Sequence, residues 1–402
     1  MKPVSESEVA TLLADATRSR TPVEVLGNGS KRNIGRPATA GVVVSTQALG
    51  GVTLYEPSEM VMSALAGTSL TDVEALLAEH RQCLAFEPVD LGPLAGSAAG
   101  MQSIGGVFAT NASGARRVLV GAARDHFIGV RAVTGAGDIV KSGGRVFKNV
   151  TGVDVTRGLA NSWGTLAVMT EVTFKVVPAP AATVTLVLLG LPDELGVEVL
   201  CHAMGTPYEV SGVTHIQASL TARLGHDALR QQGKSATLLR LENAPASLAY
   251  RKAELAAALK AYGEIHELDN DSSAVFWAEM RRLSVFEGST APVWRISTAP
   301  QSGPKVFDAI RRYMDCKAIY DWSGGLIYAE VLPTTDAGAA DIRRVIATHG
   351  GHATLIRAEP DVRIMVEVFQ PLDPGLDALS RRLKSAFDPA GILNPGRLFQ
   401  SF

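Results

Sequence analysis

The stretch "QSIGGVFATNASGARRVLVG", Gln102–Gly121, decides the fold class of this chain. It contains Gly105, Gly106 and Gly114 among small polar residues, and it shows neither helical periodicity nor strand alternation. Glycine has no Cβ, so such a backbone can approach another surface closely, and consecutive N–H groups can then bind an anion. The stretch therefore predicts a loop whose backbone lies against a phosphate-containing ligand.

A second glycine-rich loop, "GNGSKRN" at residues 27–33, lies between two predicted strands, "PVEVL" and "VVVST". Its glycines allow an anion-binding turn, Ser30 can add a hydroxyl group, and Lys31 or Arg32 can add charge. Neither loop has the G-x-G-x-x-G spacing, because Arg32 occupies the third glycine position here. The Rossmann and Walker patterns are therefore excluded. A nucleotide bound by two separate loops is predicted instead.

Composition and length limit the class of protein. The 402 residues predict two or three domains, and 46% hydrophobic against 19% charged residues predicts a packed fold. A net charge of −2 argues against nucleic-acid binding. The sequence has no signal-peptide pattern and no apolar run long enough to span a membrane. We therefore expect a cytoplasmic protein that reaches a membrane only through a partner.

The three cysteines, Cys83, Cys201 and Cys316, are far apart in the sequence and form no C-x-x-C pair. This spacing predicts neither a zinc site nor an iron–sulfur cluster in this chain.

The proline-rich stretch "PAPAA" at 178–182 predicts a domain boundary. Beyond it, apolar β runs alternate with amphipathic helices, which predicts an α+β domain with an antiparallel sheet.

Three segments together resemble the vanillyl-alcohol-oxidase (PCMH-type) FAD-binding family, and within it the FAD-binding subunits of glycolate oxidase. They are "SIGGVFATNASGARRVLVGAARDHFIGVRAV", "GGRVFKNVTGVDVTRGLANSWGTLAVMTEVTFKVVP" and "FDPAGILNPGRL". The resemblance implies an α+β fold with a PCMH-type FAD-binding domain of two α+β subdomains at residues 1–178. An α+β cap domain with an antiparallel sheet would follow at 179–370, and a C-terminal segment, 371–402, would return to the FAD domain.

The resemblance also implies FAD as the cofactor and a set of residues that contact it. These are Gly27, Asn28, Gly29, Ser30 and Lys31 of the first loop, Ser103, Gly105, Gly106, Asn111, Ser113 and Gly114 of the second, Lys148 and Asn149 near the isoalloxazine, and Gly164, Thr165, Leu166 and Val168 on the adenosine and flavin side. Family members with covalent flavin use a histidine in the first loop or a cysteine in the second. This chain has neither, so non-covalent FAD is expected.

Related flavin dehydrogenases of 2-hydroxy acids carry a histidine-rich hairpin that binds a divalent metal and supplies a base. The corresponding hairpin here, "IYDWSGGLIYAEV" at residues 319–331, keeps the glycine turn but has no histidine. We therefore assign no catalytic residue and no metal site.

Between His349 and His352, Gly350-Gly351 predicts a helix end followed by a strand. Arg295 and Arg357, on predicted strands, are candidates either for binding a carboxylate substrate or for structural ion pairs.

The sequence thus predicts the FAD-binding subunit of a glycolate (2-hydroxyacid) oxidase or dehydrogenase complex. A second flavoprotein would hold the catalytic site, and an iron–sulfur subunit would take electrons onward. Two alternatives stay open: a self-sufficient FAD-dependent 2-hydroxyacid dehydrogenase, and a structural subunit that FAD merely stabilises.

Overall fold

The computed structural model describes residues 1–38, 40–144 and 154–400. Lys148 and Asn149, predicted to contact FAD, lie outside these described residues. The chain divides into two compact units. Unit one comprises Met1–Ser113, Gly121–Ala179 and the chain from Glu367 onward, and unit two comprises Gly114–Val120 and Pro180–Val366.

The described residues form helices and strands in about equal number, numbered here in chain order. The helices are α1 Glu6–Ser19, α2 Leu70–Glu79, α3 Ile104–Ala109, α4 Arg117–Val120, α5 Ala123–His126, α6 Val155–Leu159, α7 Asp193–Met204, α8 Ala218–Thr221, α9 Asp227–Arg230, α10 Pro245–Leu259, α11 Asn270–Arg282, α12 Gly303–Arg311, α13 Ala339–His349, α14 Pro360–Met365 and α15 Pro374–Phe387. The strands are β1 Val23–Leu26, β2 Val42–Ser45, β3 Val52–Glu56, β4 Val61–Leu65, β5 Gln82–Cys83, β6 Phe127–Thr134, β7 Ile139–Gly143, β8 Ala167–Lys175, β9 Val177–Pro178, β10 Ala182–Leu189, β11 Val210–Ile216, β12 Ala236–Asn243, β13 Ile265–Leu268, β14 Val293–Ser297, β15 Cys316–Asp321, β16 Leu326–Val331 and β17 His352–Arg357. Within the described ranges, no helix is both long enough and apolar enough to cross a bilayer.

The described residues of unit one form three sheets, the smallest of which is the antiparallel pair β5-β9. β1 and β2 pair in parallel, and Val23 at the start of β1 also bridges to Leu393 near the C-terminus. A five-stranded antiparallel sheet has the order β3-β4-β8-β6-β7. A shared apolar core joins α1, β1, β2, β6, β8 and the C-terminal segment through Val9, Leu13, Val23, Val44, Val133, Val168, Ile392 and Leu393.

The C-terminal segment is attached to unit one by a buried ion pair. The Lys384 ammonium on α15 donates to the Asp388 carboxylate at 2.7 Å and to the carbonyls of Thr165 and Leu393 at 2.7 and 2.8 Å. Asp388 in turn accepts from the backbone N–H groups of Ile392 and Leu393. These bonds position the turn that leads to the last described residues of the chain.

Unit two is an eight-stranded antiparallel sheet with the order β13-β10-β12-β11-β15-β16-β14-β17. Its core packs α7 and α10 against β10, β11 and β12 through apolar residues such as Leu186, Leu200, Leu239 and Leu255. The α+β class with an antiparallel cap sheet is thereby confirmed. The helix end and strand start predicted around Gly350 are confirmed as well, since α13 ends at His349 and β17 begins at His352.

Candidate functional site

A cleft in unit one is lined by both glycine-rich loops. Its empty volume is about 660 Å³, part of which is open to solvent. Ten of the predicted FAD-contacting residues line it: Gly27, Asn28, Gly29, Ser30, Lys31, Ser103, Gly105, Gly106, Gly164 and Val168. The loops are 70 residues apart in sequence, yet they share one concave surface.

The first loop presents several hydrogen-bond donors that have no acceptor in the described part of the chain. These are the backbone N–H groups of residues 28–31 and the hydroxyl group of Ser30. The side-chain oxygen of Asn28 is buried and also has no partner among the described residues. Gly29 has φ +79°, a backbone conformation that favours glycine. The N–H groups of residues 28–31 and the Ser30 hydroxyl fit a ligand rich in acceptor oxygens, such as a diphosphate, whereas the Asn28 oxygen can pair only with a donor.

The second loop contacts the first where glycine leaves room. A Cβ on Gly27 would lie 2.2 Å from Oγ of Ser103, and a Cβ on Gly105 would lie 2.7 Å from Ala66. The prediction of an open loop is wrong at Ile104–Ala109, which forms helix α3 with Ser103 as its cap. The N–H groups of residues 104–106 donate to Thr68, Ala66 and Ser103, the last at 3.2 Å, because the helix start is tied to the neighbouring chain, so they are not free to bind an anion. A Cβ on Gly106 would meet only Ser103 Oγ, at 3.1 Å. Glycine at 27 and 105 is therefore required by protein packing, whereas glycine at 106 keeps the cleft open.

Lys31 is a buried cation in this cleft, with 7% of its surface exposed. Its ammonium group donates to Oε1 of Gln102 at 2.6 Å, and within the described residues it has no second acceptor. Burial lowers the pKa of Lys31 to about 8, although the negative charge of Asp90 opposes this shift. The Asp90 carboxylate already accepts from the N–H groups of Gly92 and Gly100. Lys31 therefore retains two donors for an anionic ligand.

The C-terminal segment supplies residues that the sequence analysis did not assign to the site. Arg397 lines the cleft and donates to the carbonyls of Lys31 and Ile34 at 2.8 and 3.0 Å. Asn394, fully buried, accepts from the N–H of Val25 at 2.8 Å and donates to the carbonyl of Trp163 at 2.8 Å. The sequence feature that could have indicated these residues is "NPGR" at 394–397, which places polar residues directly after the buried pair Ile392-Leu393.

Four predicted residues of unit one do not line the cleft. Asn111 Oδ1 accepts from the N–H of Arg124 at 3.0 Å, and Ser113 Oγ accepts from the N–H of Ala123 at 2.9 Å. Thr165 donates to the carbonyl of Ser162 at 2.7 Å. Leu166 is buried. These contacts stabilise the surrounding loops, and direct contact of these four residues with FAD stays a prediction.

Gly114 belongs to unit two, where its carbonyl accepts from Nε1 of Trp322 at 3.0 Å. Its predicted contact with FAD also stays a prediction.

Arg357 is held by an ion pair with Glu330 and by the carbonyls of Phe286 and Ala291. This arrangement favours the structural alternative for Arg357. Arg295 instead lies with its guanidinium carbon 5.1 Å from the centre of the Trp322 ring.

The hairpin of β15 and β16 has tyrosine and aspartate residues and no histidine. The Tyr320 hydroxyl donates to Oδ2 of Asp193 at 2.8 Å, and burial raises the pKa of Tyr320. Asp321 accepts from the N–H of Trp322 at 2.7 Å, and Tyr328 is buried. Across the described ranges, no group of three or more histidine, cysteine, aspartate or glutamate residues is placed to hold a metal.

Two protein families match the sequence at the segments that build the cleft. The FAD binding domain matches residues 1–143, and the C-terminal domain of FAD linked oxidases matches residues 368–398. Both loops and the Asn394–Arg397 turn lie inside these matches. The chain is therefore a flavoprotein oxidoreductase, and FAD is its cofactor.

Relatives extend the similarity over the whole chain. Glycolate oxidase subunit GlcE of Escherichia coli is 29% identical over 96% of this chain and 94% of its own length. Glycolate oxidase subunit GlcD of Bacillus subtilis is 24% identical over 99% of this chain and 88% of its own length. The structure of p-cresol methylhydroxylase superposes with a TM-score of 0.78 at 13% identity and covers 99% of this chain and 88% of that one. The last similarity establishes the PCMH-type fold.

Proposed function

We propose that the chain is the FAD-binding subunit of a glycolate (2-hydroxyacid) oxidase or dehydrogenase complex. A second flavoprotein holds the substrate-oxidising site, and an iron–sulfur subunit accepts the electrons. The observation that carries the proposal is that one chain has both a cleft lined by the two glycine-rich loops and a hairpin without histidine. The similarity to GlcE along both units supports it.

In this proposal FAD binds without a covalent bond. Residues 27–31 hold the diphosphate through backbone N–H groups, Ser103–Gly106 line the cleft beside it, and Lys31 adds a positive charge. Gly164 and Val168 line the side of the cleft that takes the ring systems. Residues 1–178 form the FAD-binding domain, 179–370 the cap domain, and 371–402 the segment that returns to the FAD domain. The bound flavin supplies the electron-transfer chemistry, and the chain's residues bind and orient it.

The first test measures flavin in the purified chain. Non-covalent binding predicts a yellow protein whose flavin is released by acid precipitation and is recovered as FAD in the supernatant. Flavin that stays with the precipitate contradicts the non-covalent assignment. A colourless chain that takes up no FAD contradicts the cleft assignment itself.

The second test separates the proposal from its alternatives. The FAD-loaded chain is mixed anaerobically with glycolate or D-lactate, alone and then with a GlcD-type flavoprotein. Under the proposal the flavin spectrum stays oxidised alone and becomes reduced only when the partner is present. Bleaching of the chain alone favours the self-sufficient dehydrogenase, and a flavin that no combination reduces favours the structural subunit.

A further inference from the structure

Helix α15, Pro374–Phe387 of unit one, exposes its apolar side chains. Leu376, Leu379 and Leu383 recur at the spacing of one helix face, and 46%, 53% and 39% of their surfaces are exposed. The residue that this helix buries is instead a cation, Lys384. An amphipathic helix normally packs its apolar face against the core of its own domain. The three leucines, called here the leucine stripe, are therefore left largely to solvent.

The leucine stripe differs from the other exposed apolar residues of the described chain. Within the described ranges, every other helix exposes at most two large apolar side chains. Single exposed apolar residues are normal on a protein surface, whereas a contiguous patch with a polar rim is typical of an interaction site. On α15 the rim consists of Asp377, Arg381 and Arg382. The stripe therefore indicates a contact surface for another molecule.

Helix α15 is attached to one wall of the cleft. The Lys384 ammonium donates to the carbonyl of Thr165 at 2.7 Å. The residue before Thr165, Gly164, lines the cleft together with Trp163. Leu383 precedes Lys384 in the same helix, and a helix with its side chains is only about 10–12 Å across. One helix therefore joins the leucine stripe to the wall of the FAD site.

The exposed charges of α15 favour a protein at the stripe over a lipid surface. Helices that bind membrane surfaces carry an excess of lysine and arginine. Here Asp373 at the helix cap and Asp377 balance Arg381 and Arg382. Asp377 pairs with Arg381 at 2.7 Å, while Arg382 is exposed and has no partner among the described residues. A protein that places a carboxylate opposite Arg382 complements this rim.

The size of the leucine stripe favours a partner that exchanges electrons. Three half-exposed leucines cover much less than the roughly 800 Å² per partner that a stable interface buries. Electron-transfer complexes lie at the low end of interface size. A stable dimer with a second copy of this chain would need a larger apolar face. The stripe at the cleft wall therefore fits a redox partner better than it fits a second copy.

From these observations we infer that the leucine stripe, with Arg382 at its rim, is the docking surface for the second flavoprotein of the proposed complex, a GlcD-type subunit. Docking here brings that partner to the wall of the FAD site. Two electrons and two protons leave the 2-hydroxy acid, which becomes the 2-oxo acid, and pass by way of the partner to the FAD of this chain. The inference rests on the proposed function for the identity of the partner, and it adds the surface on which that partner binds.

The first test measures binding of the FAD-loaded chain to a purified GlcD-type flavoprotein from the same organism by biolayer interferometry. Leu379→Ser should weaken binding by about tenfold or more, as for the loss of an interface anchor. Leu332→Ser, at an exposed leucine of unit two, is the matched control and should leave the affinity unchanged. Leu383→Ser replaces Leu379→Ser if that variant does not fold. Equal affinity in the wild type and the folded stripe variant, or an equal loss in Leu332→Ser, overturns the inference.

The rim charge is tested through the association rate. Arg382→Glu should slow association with the GlcD-type flavoprotein by about tenfold at low ionic strength, and by less as salt is added. Arg312→Glu, at an exposed arginine of unit two, is the matched control and should leave the rate unchanged. An association rate that Arg382→Glu does not change removes Arg382 from the docking surface.

Flavin reduction separates this inference from the proposed function. With glycolate and limiting partner under anaerobic conditions, Leu379→Ser should keep its FAD and be reduced about tenfold more slowly than the wild type. A wild-type chain that neither binds the partner nor is reduced by it counts against the proposed function, and the inference falls with it. A wild-type chain that does both, together with an unaffected Leu379→Ser variant, overturns the inference alone.

Three other occupants of the stripe are tested in parallel. They are an iron–sulfur subunit, vesicles of phosphatidylglycerol, and a second copy of the chain, the last by sedimentation of the chain alone. We expect Leu379→Ser to change none of these. Binding to any of them that Leu379→Ser abolishes, while the variant still binds the GlcD-type flavoprotein normally, overturns the inference.

Discussion

Replacing Lys31 by methionine should change the stability of the flavin-free chain and its affinity for FAD in opposite directions. The side chain is 7% exposed, and a single acceptor, Gln102, contacts its ammonium group. Methionine has a similar length and needs no hydrogen-bond partner. The charge is therefore unfavourable in the empty cleft and favourable once a diphosphate lies beside it.

The pKa of Lys31 gives the size of the first effect. A pKa of about 8 in place of 10.5 means that charging this group in the folded chain costs about 3 kcal/mol. Below pH 8 the lysine is protonated in the folded and unfolded states, so the full cost is present. Between pH 8 and 10.5 the unfolded state binds more protons, and stability rises with pH. Allowing about 1 kcal/mol for the lost bond to Gln102, flavin-free Lys31→Met should be about 2 kcal/mol more stable at pH 7.

The affinity for FAD should respond in the other direction. One charge-assisted hydrogen bond to a phosphate is worth about 2 kcal/mol, so Lys31→Met should bind FAD about 30-fold more weakly at pH 7. Wild-type affinity should also fall as pH rises above about 8, because Lys31 loses its proton there. The variant should lack this pH dependence.

The measurements are urea unfolding of the flavin-free proteins and FAD titration followed by flavin fluorescence between pH 6 and 10. Lys141→Met, at an exposed lysine of unit one, is the matched control and should change neither quantity. A flavin-free Lys31→Met variant that is less stable than the wild type, together with unchanged FAD affinity, would refute the assignment of Lys31 to the diphosphate.

Three further substitutions test other parts of unit one. Gly106→Val should fold but retain no FAD, because its methyl groups would fill the cleft beside Ser103; normal flavin content in the folded variant would contradict the loop assignment. Ser30→Ala should weaken FAD binding by about 1 kcal/mol in a fluorescence titration and leave flavin-free stability unchanged, since the hydroxyl has no partner in the described chain. Lys384→Met should lower the free energy of unfolding by about 3 kcal/mol, because it leaves the Asp388 carboxylate buried without its ammonium partner. Urea unfolding measures this loss, and a smaller loss would mean that solvent reaches the pair.

Much of the fold could be predicted from local patterns. The sequence "SESE" at residues 5–8 is a capping-box pattern, which predicts a helix start at this point. Helix α1 begins after Ser5, whose hydroxyl accepts from the N–H of Glu8. The reciprocal bond of that pattern is replaced, since Glu8 accepts from the N–H of Val4 instead of Ser5. The stretch "GVRAVTGAGDIVKSGG" at residues 129–144 predicts a hairpin that turns at Gly135-Ala136-Gly137, and β6 and β7 pair as this hairpin. These features depend on residues close together in the chain, and they are the ones that sequence periodicity records.

The pairing of elements across the chain could not be predicted from such patterns. Arg397 contacts Lys31 across 366 residues of sequence, and Asn394 contacts Val25 across 369. No local propensity encodes these contacts, and the resemblance suggested only that the C-terminus returns to the FAD domain. The two left-handed residues in the turn after Asp321 were also not predicted, because neither tryptophan nor serine favours that conformation.

The glycine pattern alone is weaker evidence for the cleft than the polar residues around it. A glycine-asparagine-glycine turn between two strands often has no ligand, since such residues are common in ordinary turns. Burying the ammonium of Lys31 with one protein acceptor, and leaving the N–H groups of residues 28–31 without any in the described chain, destabilises an empty fold. Selection for stability alone would replace Lys31 by an apolar residue. These groups are explained together if the native state of unit one includes a bound anion, and their energetic cost then becomes binding energy for the diphosphate of FAD.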